Sequence, residues 1–172
     1  MNRAFAFILA STVLSCGPGI YNRDMDPAKG TYEAPGGKVG EKPQTTWSGT
    51  TYEASVKGNP LPGKVVTLVG EIIDVSCYLQ LGKHGAKHRD CAQKCMRNNQ
   101  PIGLLLEDGE VVLLMEEEHH PRRDAQTNLR EKLIEQAAEI VEVTGTRTEV
   151  GGQQALYVQG FVAAPKKEGK QP

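Results

Sequence analysis

Between positions 77 and 95 the chain carries Cys77, His84, His88, Cys91 and Cys95. Soft thiolates together with imidazole are the ligand set of Zn²⁺ or Cu⁺, and three sulfurs with one nitrogen complete a tetrahedral site. If Ala86 to Arg97 is helical, His88, Cys91 and Cys95 stand at i, i+3 and i+7 on one face. His84 extends that stripe by one further turn, and Cys77 approaches from the other end of the same segment. The spacing C-x₁₃-C-x₃-C with H-x₂-C fits a metal knuckle, although it is less specific than paired CxxC motifs. The expected ligands are Cys77, His88, Cys91 and Cys95, with His84 as a spare ligand or as the hydrogen-bond partner of one. The competing expectation is a disulfide, Cys77 with Cys91 or Cys77 with Cys95, that staples the segment and leaves one thiol over. Thiol redox chemistry is a third.

The same segment, Leu79 to Gln100, holds five basic residues (Lys83, Lys87, Arg89, Lys94, Arg97) against Asp90. Such charge is expected to lower the thiol pKa values, unless it is simply the solvated face of an amphipathic helix. A second cluster, Glu116-Glu117-Glu118-His119-His120, lies between a strand and a helix and is followed by Pro121, so it reads as a solvated connection. No GxSxG, HExxH, phosphate loop or CxxCH haem attachment occurs. Enzymatic activity therefore has no positive support in the sequence.

These residues must be positioned by the elements around them. The 172 residues hold 38% hydrophobic and 24% charged side chains with a formal net charge of −1, enough for one modest domain and excluding two large ones. Lys64 to Tyr78 is β-branched and long, with Gly70 where a strand could bend. Pro101 to Glu107 and Val111 to Glu116 flank Asp108-Gly109, a hairpin signal. Pro101 is expected to end the insert helix and restart a strand. Asp124 can cap a helix carrying Leu129, Leu133 and Ala137, with Ile134 beside them. Glu139 to Val150 and Ala155 to Ala163 form a second hairpin turned at Gly151-Gly152.

The fold expected from this order is mainly β. It is a five-stranded OB-fold-like barrel with one helix between strands 3 and 4 and a helical Cys/His insert between strands 1 and 2. The insert is the departure from the plain barrel, and long connections of this kind commonly carry function. The domain spans 64–164, and 165–172 reads as a disordered tail. Residues 17–63 contain nine Gly and six Pro without helical or strand periodicity, and Trp47, Tyr52 and Tyr32 are too widely spaced to build a core. That stretch is expected to be a flexible linker. A barrel with 11 Lys and Arg against 15 Asp and Glu, and few aromatic side chains for stacking, argues against a nucleic-acid surface.

The opening MNRAFAFILASTVLSC has a positive residue, Arg3, and then an apolar run too short to cross a bilayer but long enough for a secretory leader. Val13-Leu14-Ser15-Cys16 resembles the bacterial lipobox. The resemblance implies that 1–15 is a signal peptide, that Cys16 is lipidated, and that 16–63 tethers the domain to a membrane in the cell envelope. Gly17 in place of the Asp that retains enterobacterial lipoproteins at the inner membrane points to the outer membrane. Cys77-Tyr78, His88-x-x-Cys91-Ala92-x-x-Cys95 and Pro101-x-Gly103-Leu104-Leu105 together resemble small bacterial exported proteins of OB-like fold. That resemblance implies the fold and not an activity. The competing reading to metal binding is a disulfide-stapled module that uses the barrel face or the insert to dock an envelope protein partner, with no metal. Haem chaperones of cytochrome maturation are exported OB barrels too, but the tail here has no matching haem-attachment element.

Overall fold

The computed structural model describes residues 25–43, 45–117 and 129–158. Six strands form one sheet: β1 (Lys38–Val39), β2 (Lys64–Asp74), β3 (Ile102–Leu105), β4 (Val111–Glu116), β5 (Ile140–Val150) and β6 (Gln153–Val158). Around them lie helices α1 (Gly49–Ala54), α2 (Val75–Leu81), α3 (Arg89–Arg97) and α4 (Leu129–Glu135). The pairing runs β5-β2-β3-β4-β6 and returns from β6 to β5, so five strands close on themselves, and β1 lies outside the closure alongside β5. Every pairing within the barrel is antiparallel except β4 with β6. This is the expected five-stranded OB-fold-like barrel, with α4 between the third and fourth barrel strands.

The length of β2 makes the closure work. Its residues Lys64 to Glu71 pair with β5, and Glu71 to Asp74 pair with β3, so one strand serves two neighbours in succession. Gly70 sits at the changeover. A Cβ there would lie 2.7 Å from both the Leu104 side chain and the Leu105 carbonyl oxygen, so only glycine lets β3 cross this closely. The hairpin at Asp108-Gly109 is formed as expected, with Gly109 at φ +88° and Leu106 N–H donating to Glu110 O at 2.9 Å.

The core gathers Ile72, Leu104, Val112, Val141, Val143 and Leu156 from the strands with Leu129, Leu133 and Ile134 from α4. Apolar residues at that spacing on α4 give it a face that packs into this core. Ala137, expected on the same helix, is buried just past its last residue. The insert contributes as well, since Met96 and Ala92 of α3 are in the same cluster. The Cys/His segment is therefore packed into the domain and not hung from it.

Several boundaries differ from expectation. The first barrel strand ends at Asp74, not at Tyr78, because the Asp74 carboxylate caps the backbone N–H groups of Ser76 and Cys77 and starts α2. The strand expected over Pro101 to Glu107 is confined to Ile102–Leu105, and the last one begins two residues early at Gln153. The insert helix begins with one 3₁₀ turn over Ala86–His88 and becomes α-helical at Arg89. Part of the stretch expected to be linker lies against the barrel instead. Val39 joins the core, and the buried Trp47 donates Nε1–H to Leu61 O at 2.9 Å while meeting Tyr157 edge-on at 5.4 Å. A pre-formed barrel lets single apolar anchors bind without a periodic pattern, which is why composition alone concealed them. Cys16, Asp124, residues 1–15 and the 165–172 tail lie outside the described residues.

Met96 is fully buried and Met115 is 44% exposed, so the two report separately on insert docking and on surface truncation. Met96→Ala is expected to lower stability by about 2–5 kcal/mol, and Met115→Ala by about 0.5 kcal/mol or less. Urea denaturation of both variants checks this, and equal losses would mean that the insert is not seated in the core.

Candidate metal centre

Asp74 begins the site. Its Oδ1 accepts from Ser76 N–H at 2.9 Å and from Cys77 N–H at 3.4 Å, which fixes the first turn of α2 and with it the direction of the Cys77 side chain. Val75 N–H donates to Pro101 O at 3.1 Å, and the Ser76 hydroxyl donates to Gln100 Oε1. The two ends of the insert are thus tied together at its base.

The loop from α2 to α3 is held by Glu71, a buried carboxylate on β2. Its Oε1 accepts Gly85 N–H at 2.6 Å, and its Oε2 lies 2.9 Å from His84 Nδ1, which must donate because a carboxylate only accepts. Gly85 has φ +79°, and a Cβ there would meet the Met25 backbone at 2.5 Å. Beyond it α3 is clamped to α4 and to Glu139, the residue before β5. Arg89 donates to Glu139 Oε1 at 2.8 Å and to Glu135 O at 2.6 Å, and Gln93 Nε2 donates to Ile134 O. Arg130 from α4 donates to Met96 O and Gln100 O near the C-terminal end of α3, where unpaired carbonyls and the negative dipole end favour a cation.

The result is convergence. The sulfurs of Cys77, Cys91 and Cys95 all lie within 4.8 Å of one another, and so do a carboxylate oxygen of Asp74, the sulfur of Cys77 and a ring nitrogen of His88. Both triads contain Cys77. These residues are close enough to hold a metal ion, and Cys77, Cys91 and Cys95 are free thiols with no disulfide among the described residues. Burial is graded across the site: Asp74 is 1% and His88 9% exposed, Cys77 and Cys95 are half-buried, and Cys91 is exposed. Asp74 Oδ2 and His88 Nε2 are shut off from water and have no hydrogen-bond partner. A buried polar atom left unpaired costs about 1–3 kcal/mol, and a cation bound between these groups removes that cost.

The electrostatics point the same way. Burial first, and then the neighbouring Asp74 carboxylate, push the Cys77 thiol up to about 12, and the same two causes raise Cys95. Cys77 is raised further by Cys95 and Cys91, and Cys95 by Cys91, since several thiolates beside a carboxylate repel one another without a cation. The basic segment was expected to lower these values. It does not, because the nearest charge to the sulfurs is Asp74, while Arg89 is engaged with Glu139 and Glu135. Burial holds His88 below the ordinary imidazole value, with Lys83 and His84 adding to the effect and Asp74 opposing it. A neutral imidazole is the form that binds a metal.

Of the five expected site residues, Cys77, Cys91 and Cys95 form one triad, His88 shares the other with Cys77 and Asp74, and His84 joins neither. It is bound to Glu71 and stacked edge-on to Tyr78 at 5.8 Å, where it fastens the loop. Asp74 was missed. Its signal was the D-x-x-C spacing at the end of a strand, which serves a helix cap and a metal ligand equally well. In the acidic cluster, Glu117 is not solvated as expected. It is buried and accepts from Ser48 N–H at 2.5 Å and Thr51 Oγ1 at 3.1 Å, while His119 and His120 lie outside the described residues. No protein-family model, curated protein or solved structure matches the chain.

Because the thiols of Cys77 and Cys95 are raised, they are protonated at neutral pH and a metal must displace those protons. Zinc uptake near pH 7.5 is expected to release about two protons or more and to tighten as pH rises. Calorimetry in buffers of different ionisation enthalpy measures the number, and binding without proton release would show that the thiols are not ligands.

Proposed function

We propose that this chain is an envelope lipoprotein whose OB-fold-like domain binds one thiophilic metal ion through Cys77, Cys91, Cys95 and His88, with Asp74 beside them. The observation that carries the reading is the pair of buried, unpartnered atoms, Asp74 Oδ2 and His88 Nε2, in residues grouped with a sulfur that itself belongs to a three-thiol cluster. A disulfide staple would use two of the sulfurs and leave both atoms unsatisfied. The donor set suits Zn²⁺ better than Cu⁺: zinc takes thiolate, imidazole and carboxylate together at about 2.0–2.3 Å, whereas Cu⁺ is selected by soft sulfur ligands.

The envelope location rests on the sequence. The Val13-Leu14-Ser15-Cys16 motif supports lipidation at Cys16, and no helix among the described residues is long and apolar enough to cross a membrane. A lipid on Cys16 is then what attaches the domain, and an envelope protein is the partner class that such a location supplies. Substitution Cys16→Ser is expected to move the protein from the membrane fraction to the soluble fraction.

Protein isolated without added metal or chelator tests the central reading. Elemental analysis is expected to give about one zinc per chain, and alkylation mapping after denaturation to find Cys77, Cys91 and Cys95 all as free thiols. Cys77→Ser should weaken zinc binding by more than about a hundredfold, beyond the loss that follows removal of an outer hydrogen-bond partner. No metal together with one alkylated cysteine of the three would establish the disulfide staple instead.

A further inference from the structure

We propose that the ion is cargo, exchanged with a thiol-bearing acceptor through Cys91, and that Asp74 holds the ion while Cys91 is displaced; this rests on the metal-binding reading above. Two observations carry it. The first is a surplus of donors. Asp74, Cys77, His88, Cys91 and Cys95 are five ligands in two triads that share Cys77, and a tetrahedral ion uses four. One ligand can therefore leave without the ion falling below four-coordination, provided that the fifth donor takes its position. The leaving ligand is fixed by exposure, because Cys91 is the exposed member while Asp74 and His88 are buried and Cys77 and Cys95 are half-buried.

The second observation is that the insert is anchored by contacts outside the site. Structural zinc stabilises small domains that lack a sufficient core. Here the insert is already seated by Met96 and Ala92 in the hydrophobic core, by Arg89 on Glu139, by Arg130 on two carbonyls, and by Glu71 on the Gly85 N–H and His84. An insert anchored in this way, with its site open to solvent at Cys91, fits transfer better than a closed structural knot.

The exchange balances. An acceptor thiol loses its proton to solvent as its sulfur bonds to the ion, the bond from the ion to Cys91 Sγ breaks, and Cys91 takes up a proton. The Asp74 carboxylate holds the vacated position as Cys91 leaves and gives it up as the acceptor sulfur closes on the ion, so the ion keeps four ligands throughout. No electron moves, and the charge of the ion is unchanged. An acceptor with several thiols is required, because a single thiol could not draw the ion from the remaining ligands.

Zinc-loaded full-length protein mixed with a metal-free four-cysteine zinc-finger peptide tests this. The transfer rate of the unsubstituted protein is expected to rise with peptide concentration. Cys91→Ser should still bind one zinc, more weakly, and pass it on about tenfold more slowly or worse. Asp74→Asn keeps a capping side chain but removes the negative charge, and combined with Cys91→Ser it should abolish one-to-one binding. A rate independent of peptide concentration, Cys91→Ser transferring as fast as the unsubstituted protein, or Cys91→Ser binding no zinc would each overturn the cargo proposal while leaving the metal-binding reading in place. A double variant that binds as well as Cys91→Ser alone would remove Asp74 from it. Failure of the unsubstituted protein to take up zinc would instead defeat the metal-binding reading itself.

Discussion

Two polar atoms shut away from water without partners, Asp74 Oδ2 and His88 Nε2, set the terms for everything around Cys77. At about 1–3 kcal/mol each, leaving both unsatisfied would consume a large share of the 5–15 kcal/mol by which a domain is ordinarily stable. The thiols of Cys77 and Cys95 hydrogen-bond the Asp74 carboxylate while they keep their protons, and once ionised they are repelled by it. A divalent cation relieves all of these strains at once, because it attracts the carboxylate, accepts the imidazole lone pair and stabilises the thiolates.

The barrel supplies the geometry. Because β2 pairs first with β5 and then with β3, its end at Asp74 arrives where the chain leaves the barrel and can begin α2. The side chain that stops the strand by capping α2 also belongs to the triad with Cys77 and His88. On the other side, α3 is buried through Met96 and fastened to α4 through Arg89, Gln93 and Arg130, so Cys91 and Cys95 are presented from a fixed helix and not from a loose loop. Glu71 and His84, one turn of strand and one loop away, hold the connection between them. Binding residues on rigid elements lose less entropy when they close on a ligand.

Much of this was legible in the sequence. The alternating β-branched runs, the Asp108-Gly109 and Gly151-Gly152 turns and the Leu129, Leu133, Ile134 face led to a five-stranded barrel with its helix in the right place, because each signal is local and agrees with its neighbours. The Cys91, Cys95 pair was legible for the same reason, being a helical period, whereas His88, on the 3₁₀ turn before the helix, groups with Asp74 and Cys77 instead. The end of the first strand was not. Val75 continues the β-branched run, and a capping aspartate looks like any strand residue until the chain is seen to turn at it. Asp74 was lost from the ligand set with that boundary. Val39 and Trp47, isolated in a Gly- and Pro-rich stretch, carry no period at all, and their burial depends on a barrel surface formed elsewhere in the chain. The effect of Asp74 on the thiols could not be read either, since counting charges along the insert gives five basic residues and misses the one carboxylate that lies against the sulfurs.

X-ray absorption at the zinc edge of the metal-loaded protein tests the central claim most directly, because it reports the atoms bound to the ion whatever the ion is for. The account predicts a shell of three sulfurs at about 2.3 Å and one nitrogen or oxygen at about 2.0–2.1 Å. A shell made only of nitrogen and oxygen would contradict it, since the ion would then be bound away from Cys77, Cys91 and Cys95.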